Sequence, residues 1–175
     1  GTRNFIALCS TVNCSATVIR HIAERINRSG ILASYPHIDG IIALSHGSGC
    51  GMADTGEGFE ALERVLWGHA THPNVTAAIF VGLGCEVMQI GRLKAKYGFG
   101  EDHFHTLTIQ ETGGTRKTIE TAVRMIEDLL PGLPVIERTD EPASELMVAL
   151  ECGGSDGYSG ITANPALGRA ADILV

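Results

Sequence analysis

Apolar residues along this chain fall into short unbroken runs, separated by longer segments in which they recur every three or four positions. Residues 4–10 (NFIALCS) are the first run and predict a strand. Residues 14–28 predict a helix, because Val18, Ile22 and Ile26, four apart, share one face. Asn13 suits the N-cap of that helix, and Ser29-Gly30 its stop. The alternation continues with a strand over 40–45 and a helix over 59–70, whose Leu62, Val65 and Leu66 face inward. Then come a strand over 77–81, a helix around 86–97, a strand over 104–110 and a helix over 115–130. Two further runs, 135–138 and 146–150 (LMVAL), predict strands five and six.

Strands that alternate with helices imply βαβ units and a parallel sheet. The strands are continuously apolar rather than alternating, which fits a sheet covered on both faces. The expected fold class is α/β: a three-layer Rossmann-like domain with a mainly parallel sheet flanked by helices. At 175 residues, with no repeat and no linker, residues 1–175 read as a single domain. The proline-bearing stretches 131–134 and 139–142 read as turns.

Composition narrows the function classes. A formal charge of −7 disfavours nucleic acid, whose phosphates are bound by Lys and Arg. No apolar run reaches the ~20 residues of a membrane span, and the first residues lack a signal-peptide layout. The five cysteines are far apart and form no CxxC pair, which points to free thiols and a cytoplasmic setting. The chain ends on the apolar residues Ile173, Leu174 and Val175 with no tail, as if cut from something longer.

In open parallel sheets, ligands bind at the carboxyl ends of the strands. The loops predicted there hold residues 9–14, 45–52, 82–86, 110–116 and 151–160, and all five cysteines lie in or beside them. Glycine after a parallel strand also serves tight turns, and a lone cysteine also packs as a small hydrophobe. The coincidence of five such loops at one edge is what points to a site. Gly82-Leu83-Gly84 lacks the third glycine of a dinucleotide fingerprint, since Val87 occupies that position, and Glu101 and Asp102 precede the next strand instead of following it. No GK[ST] occurs. His46, Cys50, Cys85, Glu86 and Cys152 offer the imidazole, thiol and carboxylate types that a divalent transition metal selects.

Four motifs then stand together: HGSGCG at 46–51, VGLGCE at 81–86, IQETGGT at 109–115 and CGGSDGYSGITANP at 152–165. With TRN at 2–4 and STVNC at 10–14, they closely resemble the altronate/galactarate dehydratase family from end to end. The resemblance implies the central fragment of a longer sugar-acid dehydratase. It implies a hydro-lyase that removes the α-proton and β-hydroxyl of a sugar acid to leave a 2-keto-3-deoxy acid. It also implies Fe(II) or Mn(II), with His46, Cys50, Cys85 and Cys152 as ligand candidates. His46, Glu86 and Glu111 are the candidate proton carriers, and Asn13, Arg116, Ser155 and Asp156 the candidate substrate-binding residues. Expected partners are the sugar acid, the remaining domains of the full-length enzyme and a second copy in a homodimer. Three alternatives accompany this reading: a sulfo-lyase of the same family, a [4Fe–4S] cluster on three of the cysteines, and a non-catalytic ligand-binding or assembly domain.

Overall fold

The computed structural model describes every residue except 99, 101, 102 and 155. The chain divides into two compact units, Gly1–Glu137 and Arg138–Val175. The first unit carries a four-stranded sheet in the order β2-β1-β3-β4, formed by β1 (Phe5–Ser10), β2 (Gly40–Leu44), β3 (Val75–Gly82) and β4 (Phe104–Thr108). Every pairing is parallel, with Ile6 opposite Ile41 and Ala77, and Phe80 opposite Thr106. The expected α/β class with a parallel sheet between helices is therefore what the chain adopts.

The period of two along a strand explains the layers. Ile6 and Leu8 of β1, with Ile79 and Val81 of β3, face a core completed by α1 (Asn13–Ser29) and α5 (Thr115–Leu129). Their neighbours Ala7, Cys9, Ala78 and Phe80 face the opposite core, with Phe59 and Leu66 of α2 (Glu57–Ala70) and Leu93 of α3 (Ile90–Tyr97). Helix α1 buries Val18, Ile19, Ile22 and Ile26 and stops where Gly30 turns left-handed at φ 81°, a conformation glycine adopts without a Cβ penalty. Strand β2 lies at an edge, and Asn27 of α1 occupies its outer backbone groups at Ile41 through bonds of 2.8 and 3.0 Å. That covers part of an edge otherwise open to pairing with another chain.

Five local expectations need correction, the first being Val65 of α2, which faces solvent while Phe59, Glu63, Leu66 and Ala70 take the buried face. Asn13 is the first residue of α1 and not its cap: extended Val12 (φ −151°) holds that position, with no side-chain cap. Strand β4 ends at Thr108, and Ile109–Thr112 forms a short helix, α4. Helix α3 begins at Ile90 rather than near Glu86, because the amides of Val87 and Met88 both donate to Gly49 O (2.9 and 3.3 Å) instead of entering a helix. Residues 135–138 and 146–150 form no strands. The second unit instead holds a 3-10 turn at Ala143–Glu145 and a helix, α6 (Ala163–Leu174), that the apolar pattern did not announce. Among the described residues, no helix is long and apolar enough to cross a membrane.

Candidate functional site

The loops that leave β1, β2 and β3 are stitched into one rim by a buried carboxylate and a glycine. Glu86 is only 4% exposed. Its Oε1 accepts from the Thr11 hydroxyl at 2.8 Å and from Leu83 N at 3.2 Å, while Oε2 accepts from Gly84 N at 2.6 Å. A buried charge needs such donors, since an uncompensated one costs several kcal/mol. Gly82 leaves room for it: a Cβ there would fall on the Glu86 carboxylate.

Gly49 ties the β2 loop to both neighbours. Its φ is 92°, and a Cβ would strike the carbonyl of Thr11. Its own carbonyl receives Val87 N and Met88 N, and the carbonyl of Ser48 beside it receives Asn13 N at 2.9 Å. The β4 end joins through Gln110, whose backbone N donates to Leu83 O at 3.0 Å and whose side chain reaches Cys85 Sγ at 3.8 Å. Hence hydrogen bonds join all four strand ends.

His46 is held at both ring nitrogens. Ser48 N can only donate, so Nδ1, 3.1 Å away, is the acceptor. Nε2 then carries the proton and donates to Ser10 O at 2.9 Å. The ring is thus fixed as the neutral Nε2–H tautomer, with its lone pair under the Ser48 amide.

The remaining candidates fall in both units. Cys50 and Cys85 are exposed on the β2 and β3 loops, as is Cys14 in the first turn of α1. Glu111 lies in α4, and Arg116 in the first turn of α5 beyond the left-handed pair Gly113-Gly114; both are exposed. Cys9 points into the core and burial pushes its thiol up to about 12. In the second unit Cys152 is exposed. There Asp156 Oδ1 accepts from Tyr158 N and Ser159 N at 2.8 and 2.9 Å, closing a turn ahead of α6. Ser155 falls outside the described residues.

Among the described residues, no three His, Cys, Asp or Glu side chains could together hold a metal ion. Both Glu86 oxygens and both His46 nitrogens already have backbone or hydroxyl partners.

The comparisons give these loops a family. The model of the D-galactarate dehydratase/Altronate hydrolase second domain matches residues 1–133, and that of the D-galactarate/Altronate dehydratase C-terminal part matches 143–175. The chain belongs to the D-galactarate/altronate dehydratase family. Altronate dehydratase of Bacillus subtilis (strain 168) is 31% identical over 176 residues, covering all of this chain and 34% of that protein. Galactarate dehydratase (L-threo-forming) of Escherichia coli (strain K12) is 34% identical, covering all of this chain and 35% of that protein. The (2R)-sulfolactate sulfo-lyase subunit beta of Chromohalobacter salexigens is 31% identical over 86% of the chain and 38% of its own length. The chain thus spans about a third of the length of these dehydratases. No solved structure matches it.

The sequence pattern found the rim but not its fastenings. Thr11 and Gln110, which fasten the rim, carry no sequence signal of that role, and the bonds Glu86 makes across the loops come in addition to the candidate base role read for it from the sequence.

Proposed function

We propose that this chain is part of a hydro-lyase that dehydrates a sugar acid of the altronate or galactarate type. The observation that carries the reading is similarity to altronate and galactarate dehydratases across the whole chain. In the reaction a base takes the proton α to the carboxylate, and that electron pair forms the C=C bond. The β C–O bond breaks and its oxygen leaves with a proton as water. The enol then becomes a 2-keto-3-deoxy acid.

The rim suits the fixed half of such a site. Glu86, with its oxygens already engaged, ties the loop that presents Cys85 to Thr11, and Gly49 ties the Cys50 loop to Val87 and Met88. His46 offers a lone pair at Nδ1 once the Ser48 amide is released, and Glu111 is an exposed carboxylate; these two are the proton carriers proposed. Asn13 and Arg116 are proposed for hydroxyl and carboxylate recognition, and Ser155 and Asp156 for hydrogen bonds to sugar hydroxyls. A divalent ion, Fe(II) or Mn(II), would supply Lewis-acid stabilisation of the enediolate. His46, Cys50, Cys85 and Cys152 are the residues of this chain that would hold it.

Full-length enzyme assayed against a panel of aldonates and aldarates, with and without Fe(II), should release a 2-keto acid from at least one. His46→Ala and Cys152→Ala should lose activity and bound metal; retention of both would remove the proposed roles. A brown protein after anaerobic purification would favour a [4Fe–4S] cluster instead. A second reading has its own support, the sulfo-lyase subunit similar over 86% of the chain. Sulfite release from sulfolactate, with no dehydration of sugar acids, would favour it. Binding of sugar acid without turnover by the full-length protein would favour a ligand-binding or assembly role.

A further inference from the structure

The second unit, Arg138–Val175, carries the apolar surface of a core without having one. None of its described residues is buried. A unit of fewer than ~40 residues needs a staple or a partner to stay folded, and this one, with a single cysteine, has no internal disulfide. Helix α6 has 12 residues, and a helix of that length is marginal in water unless one of its faces is packed.

Two stretches are more apolar than exposed segments should be. Every position of 146–150 (LMVAL) is apolar, so neither side of it suits water. Leu146 is 65% exposed and Met147 94%. In α6, Ala163, Leu167, Ala170 and Leu174 fall on one face, three or four apart, and Arg169 and Asp172 on the other. Leu174 is 61% exposed. Apolar surface on this scale is a partner site or an aggregation hazard.

The family indicates the partner. The model that matches 143–175 describes a C-terminal part distinct from the second domain that matches 1–133. The dehydratases similar to this chain are about three times as long as it is.

We propose that 146–150 and the apolar face of α6 are docking surfaces with one occupant, the rest of the C-terminal domain of the full-length enzyme, which covers them with apolar side chains of its own. The loop between them, which holds Cys152 and Asp156, is then anchored at both ends. This goes beyond the sugar-acid reading and stands whichever acid the enzyme takes.

The test is on the full-length protein. Dilute hydrogen peroxide should oxidise Met147 at least roughly tenfold more slowly than in the unfolded chain, at low and high micromolar protein alike. Hydrogen exchange should find the amides of α6 protected roughly 100-fold or more. With p-benzoylphenylalanine in place of Leu174, irradiation should cross-link it within its own molecule to peptides outside residues 1–175. Met147→Lys and Val148→Lys should each lower the melting temperature by several degrees, and Glu141→Lys, in the exposed turn before them, should not. Either lysine variant melting with wild type would show a solvated position and overturn the proposal. Oxidation of Met147 at the unfolded rate, or an unprotected α6, would overturn it too. So would protection that appears only at high protein concentration, or cross-links between two copies or back to residues 1–137. Should the lysine variants fail to accumulate, oxidation and exchange of the wild type decide alone.

Discussion

Replacing Glu86 with Gln is the sharpest single test of the rim. The carboxylate has two acceptor oxygens and three donors: Thr11 Oγ1, Leu83 N and Gly84 N. An amide keeps one oxygen. With its NH₂ at the Oε2 position it faces the Gly84 amide; at the Oε1 position it faces the Leu83 amide, although the Thr11 hydroxyl could turn to accept from it. Either way one backbone N–H loses its acceptor and meets another donor. Hydrogen bonds to a charged group contribute about 1.5–3 kcal/mol each, and relief of a buried charge offsets part of the loss. The net local cost is about 2 kcal/mol, or roughly 30-fold in the opening equilibrium. Hydrogen-exchange mass spectrometry on the full-length protein should show amides 83–84 exchanging roughly 30-fold faster, with α5 unaffected. Gly82→Ala should give the same signature, because its Cβ would displace the carboxylate. A folded Glu86→Gln protein with exchange at 83–84 within twofold of wild type would refute the clamp.

Gly49→Ala should lower the melting temperature by several degrees more than Gly51→Ala: both positions have positive φ, but only at 49 does the Cβ meet backbone. Equal shifts in differential scanning fluorimetry would refute that ranking. Iodoacetamide at pH 8 should alkylate Cys14, Cys50 and Cys85 rapidly and spare Cys9, as peptide mapping would show; rapid loss of Cys9 would contradict its burial. Because burial raises the Cys9 thiol from 9.0 to about 12, its contribution to stability is complete below pH 9 and lost between pH 9 and 12. Alkaline unfolding of Cys9→Ala should therefore be flatter over that window, measured by circular dichroism. The bond to Glu63 likewise raises Lys96 above its ordinary 10.5, so that pair's contribution is present below 10.5 and fades as pH climbs through the raised value. Lys96→Met should melt earlier than Lys94→Met at pH 8, and equal melting would refute the pairing.

Strands β1, β2 and β3 were legible because a parallel strand covered on both faces is apolar at nearly every position, and such a run of five to eight residues has few other uses; β4 (FHTLT) is mostly polar and only partly buried. The same rule misread 146–150. An apolar run reports that a segment wants burial, without saying where its partners are. Here Met147 is 94% exposed and α6 buries no residue. The start of α3 was illegible for another reason. The bonds that divert Val87 and Met88 go to Gly49, nearly forty positions earlier, and no local pattern encodes them. The donors to Glu86 come partly from Thr11, 75 residues away, so its part in joining the loops has no local signal either.

The strand order β2-β1-β3-β4 bears on how the chain is made. As it emerges from the ribosome, β1 and β2 can pair first. β3 then adds to the free side of β1, and β4 to the free side of β3. Each newcomer docks on an outer edge, and none has to be threaded between strands already joined. Parallel pairing across long connections is intrinsically slow, and half-built sheets expose edges that aggregate. Growth by edge addition lets synthesis set the order of assembly, with one growing edge waiting at a time on that side.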